Sequence, residues 1–136
     1  MNANGIYSLF NTAIAHNLKW PKIRLVTPNN QTVILRRNGA KSKYPGTIAV
    51  TDDRPFGSNS YFGRIETDGR LIPGWNLNSD VQNLLESLDS NPVDVASKYG
   101  HLTGHCCFCE LPLKDARSTA VGYGPVCADH FGLYWG

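Results

Sequence analysis

All four cysteines of this 136-residue chain fall in one stretch, "HCCFCELPLKDARSTAVGYGPVCADH" (105–130). Cys106 and Cys109 form C-x2-C, Cys127 and His130 form C-x2-H, and seventeen residues separate the pairs. Two close pairs joined by a loop of this length are a structural zinc pattern. The geometry explains the spacing. Zinc takes four N or S ligands on a tetrahedron, at about 2.0–2.3 Å. A C-x2-C turn lets two thiolates converge, and residues i and i+3 of a helix share a face. "GPVCADHFG" (124–132) has the signals for such a helix, with Pro125 at its start and Gly132 at its end. The expected ligands are Cys106, Cys109, Cys127 and His130, holding one structural zinc. Cys107 stays outside the set, because with Cys109 it would close a tighter loop. His105 is the alternative to His130.

Competing uses of the thiols are a redox or disulfide pair and a nucleophile beside His105. Disulfides are rare in the cytosol, and no third orienting group for a nucleophile is evident. Between the pairs, "ELPLKDARSTAVGYG" (110–124) suits a turn or short hairpin. Knuckle, hairpin and ligand-bearing helix together make a treble-clef-like module.

The same residues carry a resemblance. Cys106 and Cys109, then Leu113-Lys114-Asp115 and Ser118, then Gly122, Gly124, Pro125 and Cys127, and finally Gly132, Leu133 and Trp135 stand in the order of a known pattern. The stretch 105–136 resembles a family of short zinc-binding modules of phage and bacterial proteins, a domain of unknown function. The resemblance implies a metal and a phage-encoded protein, and it implies no activity. Two positions depart from the pattern. Glu110 stands where glycine is common, so a positive φ there costs more, and Tyr134 replaces a proline.

Upstream, the hydrophobic pattern predicts an α+β domain over 1–100, followed by the zinc module over 101–136. Ile6, Phe10, Ile14 and Leu18 recur every four residues and predict a helix over 6–19, ended by Pro21. "KIRLV" (22–26) and "TVILRR" (32–37) flank the turn "TPNNQ" and predict a hairpin. "GTIAVT" (46–51), "SYFGRIE" (60–66) and "RLIPGW" (70–75) complete a small antiparallel sheet of four to five strands, with Asp68-Gly69 in the last tight turn. Helices follow over 78–88, capped by Asn78 or Ser79, and over 91–100, stopped by Gly100.

Charge is unevenly placed. Residues 22–70 hold nine Lys/Arg against four Asp/Glu, and residues 71–136 hold three against seven. Arg36, Arg37, Lys41, Lys43, Tyr44 and Arg64 are the candidate nucleic-acid contacts, with Phe56, Tyr61 and Phe62 interleaved. Cations hold phosphates and aromatic rings stack on unpaired bases, which suits a single strand. The competing reading is a solvated sheet face. No apolar run approaches the roughly 20 residues that span a bilayer, and no secretory leader pattern opens the chain. The expectation is a cytoplasmic protein, in a host cell if phage-encoded. Its expected role is non-enzymatic, zinc-stabilised binding of nucleic acid or a nucleic-acid-processing complex. The second reading is an adaptor or inhibitor that uses Asp129, Phe131, Tyr134 and Trp135 against a host or phage protein. The third is a small metal-dependent nuclease.

Overall fold

The expected hairpin of "KIRLV" and "TVILRR" forms as β1 (Lys22–Val26) and β2 (Thr32–Arg37), paired antiparallel, with alternate burial in β1 and a continuous buried run Val33–Leu35 in β2. Their turn closes through Asn30 at φ 71° and through the Thr27 hydroxyl, which accepts the Gln31 N–H at 3.0 Å. Asparagine tolerates that left-handed conformation better than most residues. The sheet continues through β3 (Ile48–Thr51), β4 (Tyr61–Ile65) and β5 (Leu71–Pro73). All neighbours are antiparallel, in the order β1-β2-β3-β4-β5, with Gly69 at φ 89° in the last turn. The structure, a computed structural model, describes residues 1–55 and 58–135. Phe56, one of the interleaved aromatics, lies outside the described residues.

Strand periodicity divides the sheet into two faces. Ile23, Leu25, Val33, Leu35, Ile48 and Val50 are buried on one face. They meet apolar side chains of three helices, α1 (Asn4–Ala15), α2 (Ser79–Ser90) and α3 (Pro92–Thr103). The opposite face carries Lys22, Arg24, Arg36 and Arg64. Two shorter helices, α4 (Ala116–Val121) and α5 (Pro125–Phe131), complete the α+β fold.

Four helix features differ from the sequence reading or resolve it. α1 ends at Ala15 rather than near Pro21, because Asn17 turns left-handed at φ 71° and the Leu18 N–H bonds back to the Ala13 carbonyl at 3.0 Å. Asn78 is the cap of α2, its side chain accepting the Val81 N–H at 3.0 Å. α3 runs through Gly100 to Thr103, and Gly104 at φ 73° is the residue that stops it. Gly100 serves packing instead, since a Cβ there would sit 1.9 Å from the Gly122 carbonyl oxygen. The stretch expected as a turn or hairpin holds α4. Its Asp115 side chain accepts the Ser118 N–H at 3.0 Å, and Gly122 at φ 98° ends it. Strand pairing in this stretch is confined, among the described residues, to one isolated bridge, His105 with Pro112.

α3 therefore crosses the division at 100/101, and buried residues from both sides form one apolar cluster. Phe108 stacks on Phe131 at 4.2 Å between centroids, with Tyr123 edge-on to Phe108 at 6.1 Å and Phe10 edge-on to Phe131 at 6.4 Å. These rings join the cysteine knuckle, α5 and α1. Among the described residues, no helix is long and apolar enough to cross a membrane.

Candidate metal centre

The knuckle is built by backbone hydrogen bonds around Cys106. Its N–H donates to the Leu111 carbonyl at 3.0 Å, and its carbonyl accepts the Glu110 N–H at 2.8 Å. This closes the chain so tightly that Glu110 sits at φ 62°, where a side chain is disfavoured. The departure from glycine noted in the sequence therefore carries strain. Glu110 offsets it through its carboxylate, which is ion-paired with Lys22 and, at 3.4 Å, with Arg24 of β1. The Arg24 N–H also donates to the Cys107 carbonyl at 2.8 Å. The knuckle is thus fastened to the first strand by backbone and side chain together.

Across from the knuckle, Gly122 lets the chain pass against α3. A Cβ there would lie 2.6 Å from the Ser97 Cα. Pro125 then opens α5 and places Cys127 in its first turn. The outcome is that Sγ of Cys106, Cys109 and Cys127 lie within 4.8 Å of one another. Three thiolates on a tetrahedral metal at about 2.3 Å would stand about 3.8 Å apart, so little adjustment is needed. All four cysteines are free thiols, and none forms the disulfide weighed above.

Electrostatics agree with a cation site. The Cys106 thiol is pulled down to about 5, first by the hydrogen bond it receives from Cys127 and then by backbone N–H groups of Cys109, Gly124 and Phe108, against the opposing effect of burial. Cys127 moves far in the other direction, because it supplies that proton and lies buried beside two other sulfurs. Burial pushes Cys109 up as well. A thiolate at Cys106 crowded by two protonated sulfurs is an arrangement a metal dication replaces, since its charge removes the mutual repulsion of three thiolates.

The other sequence candidates divide. Cys107 is buried in the apolar core, and its thiol is pushed well up by burial, as suits a bystander. His130 is not in the thiol cluster, and its backbone carbonyl accepts from His16 Nδ1 at 3.0 Å. Three residues of helix leave a side chain about 60° around and about 4.5 Å further along the axis, and Cys127 meets the knuckle from the first turn. His105 is exposed, with Nδ1 2.9 Å from the Thr103 carbonyl. Among the described residues the cluster that could hold a metal is Cys106, Cys109 and Cys127, and His130 of the expected set of four is not part of it.

The basic candidates also separate. Lys22, Arg36, Ala49 and Arg64 are successive cross-strand partners, so register aligns three cations in one row across the outer sheet face. Arg64 pairs with Glu66 at 3.1 Å and lies over the Tyr44 ring at 3.9 Å, with Lys43 at 5.5 Å from the same ring. Lys41 is exposed in the preceding loop. Arg36 is exposed, whereas Arg37 is half-buried with its Nε unpartnered. The tail proposed as a protein-contact surface is used for packing in part. Phe131 is buried, and Trp135 donates from Nε1 to the Tyr123 carbonyl at 2.9 Å while Arg117 covers its ring at 4.4 Å. Trp20 and Trp75, 70% and 99% exposed, carried no periodic signal that could have singled them out.

Residues 96–132, just over a quarter of the chain, match a family of unknown function, DUF6011. The match begins inside α3, earlier than the cysteines, and so includes Ser97 and Gly100, the residues packed on Gly122. No curated protein and no solved structure matches the chain. By sequence, the C-terminal module is similar to this family, and the three-cysteine cluster lies wholly within the matched segment.

Proposed function

We propose that this protein is a non-enzymatic, zinc-stabilised binding protein whose partner is nucleic acid. The observation that carries the reading is the row Lys22, Arg36 and Arg64 across one sheet face, in which Lys22 and Arg64 are ion-paired and Arg36 is exposed and in no ion pair with a described residue. Zinc is the ion of choice because soft thiolates in a tetrahedral arrangement select it over hard cations. Its role is to fold the module and so fix the position of the sheet edge. The carboxylate nearest the thiols in sequence, Glu110, is engaged by Lys22 and Arg24, which argues for binding over hydrolysis. A phage origin, and with it action in the host cytoplasm, rests on the resemblance of the module alone.

Fluorescence anisotropy with labelled single- and double-stranded oligonucleotides tests the reading. Binding is expected at low salt and should weaken as a power of the salt concentration. No binding to DNA or RNA at 20 mM salt (an order-of-magnitude choice, about the weakest screening usable) would defeat it. Metal-dependent cleavage of the probe would instead establish the nuclease. A second reading, a protein adaptor, is favoured by Trp75. It stands 99% exposed beside Tyr61, Pro73 and Gly74, a surface suited to protein contact.

A further inference from the structure

The end of the β1–β2 hairpin meets the knuckle at a groove of about 360 Å³. Trp20, Pro21 and Lys22, Arg36 and Arg37 of β2, and Phe108 and Cys109 of the knuckle line it, with Lys22 ion-paired to Glu110. The cation row of the sheet thus ends at an aromatic ring and a metal ligand.

Three features give the groove its chemistry. Trp20 is 70% exposed although its six-membered ring is held near Gly39, whose ideal Cβ position lies 3.5 Å from it. Gly39 lies beside the ring and most of the indole surface remains free, as a stacking platform requires. Arg36 and Arg37 make no ion pair with any described residue, whereas Lys22, Arg24 and Arg64 each have a carboxylate. Finally, Arg36 is exposed on the outer face, whereas its strand neighbour Arg37 aligns with Ile48 on the helix-covered face. A guanidinium fork such as that of Arg36 matches the oxygens of a phosphate.

We propose that this groove seats one nucleotide of a single-stranded nucleic acid, its base stacked on Trp20 and its phosphate held by Arg36. The inference rests on the nucleic-acid reading above and gives it a location. A single strand is required because the bases of a duplex are stacked on one another and cannot present a face to Trp20. An acidic peptide could satisfy Arg36 and would leave the indole unused, so the base is the better match. Because Cys109 lines the groove, metal binding would set the shape of its wall.

The test is anisotropy of fluorescein-labelled oligo-dT, with unlabelled duplex and poly-glutamate as competitors. Trp20→Ala should weaken binding on the order of tenfold, and Trp20→Phe should restore most of it. Arg36→Ala should lower the salt slope by about 0.7, as for one phosphate of a single strand. Arg36 and Trp20 are exposed, so these variants keep the fold; circular dichroism and metal content are checked in each. Trp75→Ala, altering a still more exposed tryptophan beyond the opposite sheet edge, should bind as the parent does. If the parent binds oligo-dT but Trp20→Ala and Arg36→Ala bind equally well, the nucleic-acid reading stands and the groove is not its seat. If duplex or poly-glutamate competes as well as oligo-dT, single-strand seating is overturned. If the parent binds no oligonucleotide, the groove and the broader reading fall together.

Discussion

The sheet-and-helix body and the C-terminal module solve the folding problem in different ways. The body buries alternate residues of β1, β2 and β3 under α1, α2 and α3, so its stability is spread over many apolar contacts. The module has two helices of six and seven residues, too short to persist on their own. It concentrates stability in a few points: three sulfurs within 4.8 Å, a glycine pair at helix contact and a stack of aromatic rings. A distributed core tolerates the loss of any one contact better than a structure held at single points. The comparison therefore predicts where the molecule breaks.

The largest effect is expected from the metal. Removing it with a chelator, or replacing Cys109 by Ser, should unfold α4 and α5 while the strands keep their amide protection. Zinc binding in small structural sites is worth on the order of 10 kcal/mol, so loss should be complete within the module. Hydrogen exchange read residue by residue checks this, and uniform loss of protection in β2 and β3 would show that the two regions fold as one. Next is Gly100→Ala. The added methyl group would meet the Gly122 carbonyl at 1.9 Å, a backbone atom with little room to move. Overpacking of this kind destabilises by about 1–3 kcal/mol. Calorimetry should show that loss, and reduced metal affinity should accompany it; unchanged melting and affinity would refute the close approach.

A body substitution gives the counterpart. Asn78→Ala removes the N-cap of α2 and should lower stability by about 1 kcal/mol without changing metal content. Metal release from that variant would blur the distinction between the regions. The smallest effect belongs to Asp68 in the β4–β5 turn. The Arg70 backbone N–H, then its side chain, hold this carboxyl below the usual range. A depressed carboxyl stabilises the fold above its unfolded value of about 3.9 and loses that contribution as pH falls through the folded value. The melting difference between the parent and Asp68→Asn should therefore be present at neutral pH and shrink below about pH 4. A difference that grows on acidification would contradict the assignment.

Much of this was readable in the chain. The turn cluster between two apolar runs located β1 and β2 to the residue, because strand and turn chemistry are local; burial alternates along β1, whereas β2 buries Val33, Ile34 and Leu35 in succession. Helix starts were equally local: Asn78, Pro92 and Pro125 act on amides within a turn of themselves. The three convergent cysteines followed from spacing. Helix ends were less legible. Gly100 looked like a stop signal and proved to be a packing contact with a residue more than twenty positions away, which no local pattern could reveal.

The division between sequence and tertiary structure follows from range. By itself the sequence determined the α+β class, the antiparallel meander and the thiol pattern, all consequences of short-range periodicity and turn chemistry. Only the tertiary structure decided that His130 stays out of the cluster, that Phe131 and Trp135 are spent on packing, and that Trp20 and Arg36 line one groove. Those facts depend on how the knuckle docks on β1 and how α5 docks on α1, through Glu110 and the Phe108–Phe131 stack. Contacts between residues distant in the chain depend on the relative placement of whole elements, and a one-dimensional pattern does not encode it.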